Sequence, residues 1–557
     1  MWPLDLRPGN RDTCGMTVFS GRWSLGLAGG FSVILAVVAF WPSLSNGFMY
    51  DDVPLVAKNP LVTEAGSWWR FWVEPWWPRG SSLDKLYRPL TMWSYRANAV
   101  LAGGGTELDP RSFRLTNLGL HALAALGVVL VGWRLTGSSA AGWISGSLFA
   151  VHPVHTEAVV TCYGRAEVLA GCLVVWLVFR YLRPPGAGRS WRWHLVNAVL
   201  LLAAVMSKEH AALIWPVLFS IDLWRWRRMS AGPRPGWRLW LNGALAPAHV
   251  GLVLALAGFF LLRYNVFGWT YVGDMTQVRA WEVPMAEATA AERLLTPFRL
   301  GWITLRVLCW PAALCPVWSV PATMPAGGLA ADVVGGMVLV VGGVVLVGLC
   351  WRRGWLAGTM VLGGLVMMLI PAQALAVTMW WYAERWLYLP SVFAAVVVGV
   401  ALARLGVAGC GLGISLAFLL LPSSWQYCPV FASDLAMNRE VILRQPDSFQ
   451  GRRNLALALY EAERYEEAIQ AARECIERFN GRASHGPRFK PVEEPYWVLL
   501  KSYLALGDGA RALEALDTYE AMRAHLPAPR LTEERRRALA LITRASSRPA
   551  ASEASGR

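Results

Sequence analysis

Long apolar runs recur along most of the chain, and they constrain its fold more than any other feature. A helix that crosses a bilayer needs about 20 apolar residues, and somewhat shorter helices are tolerated inside a bundle. We therefore predict eleven spans, at residues 24–44, 113–134, 139–156, 165–182, 194–207, 209–223, 239–262, 330–350, 355–373, 386–405 and 407–422. The predicted fold is all-α, a polytopic transmembrane helical bundle.

The composition agrees with a membrane protein. Of the 557 residues, 55% are hydrophobic and only 16% are charged, which is more apolar than a soluble protein of this size needs to be. The chain also contains 31 tryptophans and 15 tyrosines, whose rings favour the headgroup level of a bilayer. The nine cysteines include no C-x-x-C pair, so neither a disulfide framework nor a structural zinc site is predicted.

The basic residues predict an orientation rather than a nucleic-acid partner. The net charge is +15, but many Lys and Arg residues lie in short connections, notably 180–193, 224–238 and 351–354, which are predicted to be cytoplasmic. Residues 1–23 carry further arginines and are predicted to be cytoplasmic too. Only five of the 52 basic residues are lysines. This bias indicates a GC-rich bacterial genome, and we predict an inner-membrane location.

One apolar segment does not fit the pattern of spans. Residues 292–314 carry Arg299 and Arg306, and a crossing here would place 351–354 outside, against the positive-inside rule. We predict a helix that lies at the outer interface or is re-entrant. The long first external loop, 45–112, and the other polar connections between spans then open to the non-cytoplasmic side.

The chain after residue 422 has a different pattern. Helical periodicity over 454–479 is broken at Glu463 and Arg464, and a similar pattern returns over 496–522. Matching positions are 44 residues apart, which equals the 34-residue tetratricopeptide period plus about ten inserted residues. We predict about two extracytoplasmic tetratricopeptide-like repeats with a capping helix over 423–545, and a disordered tail over 546–557.

Paired acids follow the first span directly. Asp51 and Asp52 lie in the stretch "NGFMYDDVPLVAKNP", where a positioned carboxylate could deprotonate a hydroxyl or hold a divalent cation. A solvated turn or a helix cap is the alternative from position alone.

Charged and imidazole side chains near the predicted spans are further candidates, because such groups are costly in a membrane unless they line an interior cavity. One cluster consists of His152, His155, Glu157 and Glu167. Its spacing could ligate a metal, although the signal is weak, and the alternative is that the histidines are structural residues at a helix end. Guanidinium groups match phosphate oxygens, or pair with nearby acids, and the candidates are Arg88, Arg165 and Arg385. The remaining cavity candidates are Lys208, Glu209 and Glu384.

Five motifs occur in an order that is familiar from one family. They are "MYDD", "YRPLT" followed by "RLTNLGLHAL", "FAVHPVHTEAV" with "GRAE", "SKE", and "AERWLYLPS". The chain resembles the transmembrane and tetratricopeptide-repeat O-mannosyltransferases over roughly residues 38–520. The resemblance implies a GT-C type membrane glycosyltransferase fold. It also implies transfer of a sugar, typically mannose, from a polyprenyl-phosphate donor to Ser or Thr hydroxyls of a protein.

The same resemblance implies roles for the candidate residues. Asp51 would be the general base of an inverting reaction, with Asp52 orienting it or the acceptor. Arg88, Arg165 and Arg385 would stabilise the departing lipid phosphate, and the histidines and remaining acids would line the cavity. Besides the polyprenyl-phosphate sugar, which is a substrate, the one cofactor candidate is a divalent cation.

The acceptor is left open, because only about two repeats are predicted where family members usually carry a longer array. A protein or a cell-envelope glycan would serve, with the repeats guiding it or docking a partner. Two other classes remain. A transporter or flippase of an anionic lipid would have related halves in its membrane region, which are not evident. A non-catalytic membrane scaffold would present the repeats but leave the paired acids unexplained.

Overall fold

The structure is a computed structural model, and it describes residues 22–64, 66, 68–79, 85–103, 107–183, 190–229, 246–268, 288–318, 328–374, 382–480, 493–523 and 532–546. These residues form α-helices and short helical turns without a β-strand, which confirms the all-α class. Of the predicted cytoplasmic segment 1–23 and the predicted disordered tail 546–557, residues 1–21 and 547–557 lie outside the described residues.

The described helices divide into two compact units, one ending at Ser433 and a second beginning at Asp434. The helices of the first unit are α1 (Arg22–Phe40), α2 (Pro89–Leu101), α3 (Pro110–Thr136), α4 (Ser139–Val151), α5 (Thr156–Val160), α6 (Arg165–Tyr181), α7 (Trp191–Ser207), α8 (Ile214–Met229), α9 (Ala246–Phe267), α10 (Ala290–Cys309), α11 (Ala331–Arg352), α12 (Ala357–Met367), α13 (Tyr388–Ala403) and α14 (Gly406–Tyr427).

Six helical segments in the described part of the chain are long and apolar enough to cross a membrane. They are Ser24–Ser45, Pro110–Thr136, Ala248–Phe267, Ala331–Arg352, Glu384–Ala403 and Gly406–Phe431. The bent pair Pro153–Val160 and Arg165–Tyr181 makes a seventh if it is counted as one span. The helices α4, α7 and α12 are apolar but shorter. A polytopic membrane protein is therefore confirmed, while the count of eleven crossings stays a prediction.

The short helix α4 lies at the centre of the first unit, where it packs against α1, α3, α13 and α14. All of its residues except Ala140 and Trp143 are buried. Small side chains allow this close approach: a Cβ added to Gly142 would lie 2.6 Å from the carbonyl oxygen of Val129 in α3. Without a strong hydrophobic force between helices in lipid, such close packing is a main source of helix association.

The end of α4 differs from the prediction of a span over 139–156. The helix ends at Val151, and His152 has an extended backbone with ψ 124°. Proline at 153 explains this end, because its ring disfavours a helical conformation at the preceding residue. The short helix α5 follows, and the segment around it meets α6 at an angle of 114°.

The helix α10 covers most of the segment predicted to be interfacial or re-entrant. It begins with a capping box between Thr289 and Glu292, a pair that satisfies two free amide groups of the first turn. It is not among the segments apolar enough to be candidate spans. Its depth relative to a bilayer stays a prediction.

The second unit consists of α15 (Asp434–Arg444), α16 (Phe449–Glu461), α17 (Tyr465–Asn480), α18 (Glu494–Leu506), α19 (Gly509–Arg523) and α20 (Thr532–Ser546). The turn between α16 and α17 falls at the predicted break, where Glu463 has φ +59°. The aligned positions Ala468 and Ala512 are both fully buried in one core. The unit thus contains helical hairpins in the predicted places, and its assignment to tetratricopeptide repeats stays a prediction.

Candidate active site

The loop that carries the two aspartates is held in a fixed shape. The Asn46 side chain donates to the Cys428 carbonyl at 3.0 Å, and the Gly47 amide donates to the Ala432 carbonyl at 3.3 Å. Tyr50 has φ +48°, a left-handed conformation that a bulky residue adopts only where its surroundings impose it. The chain therefore turns sharply just before the acid pair.

Asp51 and Asp52 are not a solvated turn. Asp52 is completely buried and Asp51 is 9% exposed. The Asp52 Oδ1 accepts a hydrogen bond from the Tyr163 amide at 2.8 Å, while its Oδ2 lies 3.6 Å from the Arg114 guanidinium. Burial raises the pKa of Asp52 to about 6, although the Arg114 charge opposes this rise. The pair thus combines an enclosed carboxylate with a neighbour that retains some exposure.

The surroundings of Asp52 do not fit a divalent cation. One carboxylate oxygen faces an N–H donor and the other faces a guanidinium group, whereas Mg²⁺ and Ca²⁺ require several oxygen ligands. Among the described residues, no group of three or more His, Cys, Asp or Glu side chains could hold a metal ion. The predicted alternative of a cation on Asp52 therefore has no ligand set in this part of the chain.

The break between α5 and α6 borders Asp52, and side chains bind its carbonyl groups. Asn117 donates to the carbonyls of Val159 and Thr161 at 3.2 and 2.8 Å. Two further bonds continue the series, from Arg114 Nε to the Val160 carbonyl and from the Tyr95 hydroxyl to the Cys162 carbonyl. An interrupted helix at membrane depth needs such partners, because unpaired backbone groups are costly there.

Arg165, a predicted phosphate ligand, is committed to neutral acceptors instead. Its guanidinium donates to the side chains of Asn117 and Asn98 at 2.8 and 2.6 Å. It also donates to the carbonyls of Phe113 and Ser94 at 2.6 and 3.2 Å, and it is completely buried. The structure therefore gives Arg165 the role of joining α2, α3 and α6, and leaves it no open face for a phosphate group.

Arg385 and Glu157 form a buried ion pair beside the aspartates. Glu157 Oε2 accepts the backbone amide of Arg385 at 2.8 Å, and its Oε1 accepts from the Arg385 guanidinium. The guanidinium also lies 5.3 Å from the Tyr163 ring. Its side chain keeps 16% exposure, and in the described residues only Nη1 donates to a carboxylate. The other guanidinium N–H groups make no hydrogen bond to the described residues.

Arg88 is paired as well. Its Nε and Nη2 atoms donate to the two carboxylate oxygens of Glu209, each at 3.0 Å. The guanidinium lies 3.9 Å from the centre of the Trp76 ring, a distance typical of a cation–π contact. Burial opposes ionisation of the paired acid, but the charge and hydrogen bonds of Arg88 together with the Lys208 charge outweigh it and lower the pKa of Glu209 to about 2.

Lys208 interacts electrostatically with the Arg88–Glu209 pair and with Arg385. Its Nζ is 2.7 Å from Glu167 Oε1, and His210 Nε2 is 3.1 Å from the other oxygen of that carboxylate. Burial lowers the pKa of Lys208 to about 8, and the positive charges of Arg88 and Arg385 lower it further, against the acids that raise it. Three predicted cations therefore act on one another in a single region.

The predicted histidines lie together but are engaged in internal bonds. His152 Nε2 donates to the Leu308 carbonyl at 2.9 Å, because its Nδ1 accepts from the Val154 amide. His155 Nε2 is 2.7 Å from the Ser391 hydroxyl. The two rings are 5.9 Å apart. These contacts match the structural explanation for the histidines rather than a metal site.

Glu384 is also enclosed. It is completely buried, and the Tyr427 hydroxyl donates to its Oε2 at 3.3 Å. It is the first residue of the short helical turn Glu384–Leu387, which also carries Arg385. The structure therefore places Glu384 near the site without giving it an exposed face.

Sequence reasoning missed the residues that hold the broken helix. Arg114 and Asn117 lie on one helix, α3, within the quoted stretch "RLTNLGLHAL", and Tyr95 lies on α2. His121, one turn further along α3, contacts the Ala150 carbonyl and the Tyr388 hydroxyl instead. The spacing of three and four residues places the three α3 side chains on one face, which is the signal that could have indicated a polar face of this helix. The apolar residues around them satisfy the same period, so the sequence predicts only that this stretch belongs to the span 113–134.

Sequence comparison identifies named relatives. Over 305 residues the chain is 32% identical to Protein O-mannosyl-transferase Tmtc2 of Drosophila melanogaster, which covers 52% of this chain and 30% of that protein. It is 38% identical over 191 residues to Tmtc1 of the same organism, covering 33% and 21%. It is 35% identical over 183 residues to TMTC3 of Mus musculus, covering 31% and 19%. No family model matches the chain.

These relatives confirm the predicted resemblance, since all three are named protein O-mannosyl-transferases. The chain matches less than a third of each relative's own length. Among solved structures, it is similar to ArnT from Cupriavidus metallidurans bound to undecaprenyl phosphate, at 12% identity and a TM-score of 0.41, covering 94% of this chain and 76% of that one. It is also similar to the oligosaccharyltransferase of Archaeoglobus fulgidus, at 12% identity and a TM-score of 0.41, covering 80% and 59%.

Proposed function

We propose that this chain is an integral-membrane glycosyltransferase of the GT-C type. It moves a sugar, mannose as in the names of its relatives, from a polyprenyl-phosphate donor to an acceptor hydroxyl on the non-cytoplasmic side. The observation that carries the proposal is the acid pair: Asp51 keeps 9% exposure beside a completely buried Asp52. The similarity to relatives that are named protein O-mannosyl-transferases supports the same proposal.

In the proposed reaction Asp51 accepts the proton of the acceptor hydroxyl. The oxygen forms a bond to the anomeric carbon, and the bond from that carbon to the donor phosphate breaks, with the electron pair leaving on the phosphate. Attack from the face opposite the leaving group inverts the anomeric centre. A positioned carboxylate base contributes about 10²–10⁴-fold to such a step.

The departing phosphate requires positive charge, and the structure supports a set that differs from the one expected from sequence. Arg385 has guanidinium N–H groups that make no hydrogen bond to the described residues, and Lys208 and Arg88 act electrostatically in the same region. We assign the phosphate to Arg385 and Lys208, with Arg88 contributing charge from its pair with Glu209. Preorganised cations of this kind stabilise charge that grows in the transition state.

The acceptor is proposed to be a Ser or Thr hydroxyl of a protein, as the names of the relatives suggest for those proteins. The helical hairpins of the second unit, α16–α17 and α18–α19, would guide the acceptor or dock a partner. Bacterial inner membrane is the proposed location, with the N-terminus cytoplasmic and the second unit on the other side.

Transfer of radiolabelled mannose from polyprenyl-phosphate mannose, in membranes that contain the full chain, tests the proposal. Asp51→Asn should lower transfer about 10²-fold or more while donor binding is retained. The matched control is Asp109→Asn in the same loop. The exposed Asp109 caps α3 through a bond to the Arg111 amide, and asparagine caps equally well.

The labelled product identifies the acceptor class, protein or envelope glycan. Equal loss in both variants, or full transfer by Asp51→Asn, contradicts the assignment of the base. Transport of the lipid by a wild type that transfers no sugar would favour the flippase alternative.

A further inference from the structure

Arg114 has no role in the proposed reaction so far. Its side chain lies between the loop that leads to the aspartates and the break between α5 and α6. The residue lies near the start of α3, one of the long apolar helices, and its charged side chain is completely buried. A buried arginine is retained only where its charge and its donors are matched. Its partners therefore indicate what the residue does.

Two nitrogen atoms of Arg114 donate to these segments, while Nη1 is buried without a hydrogen-bond partner among the described residues. Nε donates to the Val160 carbonyl at 3.0 Å, at the break between α5 and α6. Nη2 donates to the Gly47 carbonyl at 2.5 Å, in the loop that leads to the aspartates. The same Nη2 lies 3.6 Å from Asp52 Oδ2. A single guanidinium thus joins the loop, the broken helix and the buried carboxylate.

Among the described residues, Arg114 is the cation that forms an ion pair with Asp52. Its Oδ1 accepts from the Tyr163 amide at 2.8 Å, and the neighbouring Cys162 also favours the ionised carboxylate. The titratable and charged groups that face it are Arg114 from α3, Tyr95 from α2, Arg165 from α6, Cys162 and Tyr163 from the break, and the adjacent Asp51. Of the groups that act on its charge, Arg114 is the main one that favours the ionised form.

We infer that Arg114 is a positioning residue for the acid pair: it keeps Asp52 ionised and holds the Asp51 loop against the broken helix. The kinetic part of this inference rests on the proposed transfer reaction, while the charge relation between the two residues does not. Arg114 touches neither donor nor acceptor in this scheme. Its effect reaches the reaction through Asp52, whose ionised carboxylate orients the neighbouring base.

The charge relation can be measured without any sugar transfer. The infrared band of a protonated carboxyl group, taken as the difference between wild type and Asp52→Asn in reconstituted full-length protein, reports the titration of Asp52. The pKa of Asp52 is raised to about 6 by burial and held down by Arg114, so the wild-type midpoint should lie near 6. Removal of an opposite charge at this distance shifts a pKa by about 1–3 units.

Three variants separate charge from packing. Arg114→Gln should move the midpoint upward by about 1–3 pH units, and Arg114→Lys, which keeps the charge, should leave it near the wild-type value. Tyr95→Phe removes a 2.8 Å bond to the same break at the Cys162 carbonyl but no charge, so its midpoint should not move. The acid limb of mannose transfer against pH should follow the same order.

An unchanged midpoint in Arg114→Gln overturns the inference, as does an Arg114→Lys shift as large as that of the glutamine variant. If Arg114→Gln does not fold, the double variant Asp52→Asn, Arg114→Gln decides. Recovery of folded protein supports the charge pairing, because neither buried charge is then left alone. If the double variant also fails to fold, the bonds of Arg114 to Val160 and Gly47 are its whole role, and the inference is overturned. A wild type that titrates as described but transfers no mannose would defeat only the proposed function.

Discussion

Glu157 contacts Arg385 at two points, through the backbone amide at 2.8 Å and through the guanidinium. The pair joins the short helix α5 to the turn that precedes α13. Because Glu157 is 1% exposed and the arginine side chain 16%, the ion pair is anchored on its acidic side and open on its basic side. This asymmetry is consistent with the role proposed for Arg385 as a ligand of the donor phosphate.

Glu157→Gln should weaken this anchor without removing the acceptor oxygen. Hydrogen bonds to charged groups contribute about 1.5–3 kcal/mol, so we expect the free energy of unfolding to fall by about 2 kcal/mol and the KM for the donor to rise. Thermal unfolding in detergent and initial rates at varied donor concentration measure both effects.

A surface pair provides the comparison for this variant. Glu74 and Arg79 are 2.8 Å apart with the arginine 68% exposed, and exposed pairs contribute about 0–1 kcal/mol. Glu74→Gln should therefore change neither the unfolding temperature nor the KM appreciably. Equal effects of the two variants would contradict the anchoring role of Glu157.

Lys208 should impose an alkaline limit on the reaction. Burial lowers its pKa to about 8, so the ammonium is present below that pH and is lost as the pH rises through it. The kcat/KM for the donor, which reports the free enzyme, should then decline above pH 8. Rates from pH 6 to pH 10 would show the decline.

Lys208→Arg tests the cause of that decline. An arginine stays charged throughout this range, so the decline near pH 8 should disappear in this variant even if its maximal rate is lower. A decline that persists at the same pH would assign the alkaline limit to another group.

Arg165→Lys should affect stability and not the donor. The guanidinium donates to four neutral acceptors, and a lysine cannot reach all of them. Each buried acceptor left unpaired costs about 1–3 kcal/mol. We expect a lower unfolding temperature with an unchanged donor KM in the folded fraction. A raised KM at an unchanged unfolding temperature would restore Arg165 as a phosphate ligand.

Two glycines of the membrane helices should respond oppositely to the same change. A Cβ on Gly142 would lie 2.6 Å from the Val129 carbonyl oxygen, whereas one on Gly119 would meet nothing within 4 Å. Gly142→Ala should destabilise the protein by about 1–3 kcal/mol through overpacking.

Gly119→Ala should be neutral or stabilise by up to about 1 kcal/mol, because alanine has the higher helix propensity. Unfolding temperatures in one detergent compare the two variants directly. Similar values for both would mean that α3 and α4 do not pack as closely as described.

Some features of this protein follow from local sequence alone. The long apolar runs predicted the helices, and the local effect of Pro153 accounts for the end of α4 at Val151, short of the predicted end at 156. The broken periodicity at Glu463 and Arg464 predicted the turn between α16 and α17. Each of these depends on backbone geometry and on burial of neighbouring residues, which act within one or two helical turns.

The partners of the charged residues were decided by the tertiary structure. Arg165 and Arg385 are equivalent candidates in the sequence, yet one binds neutral groups and the other binds Glu157. Arg88 is 121 residues from Glu209, and Arg385 is 228 residues from Glu157. A periodic pattern reports which face of a helix is apolar, and it carries no information on which distant side chain will meet that face. Only the packing of the helices brings those charges together and settles which of them remain open to a ligand.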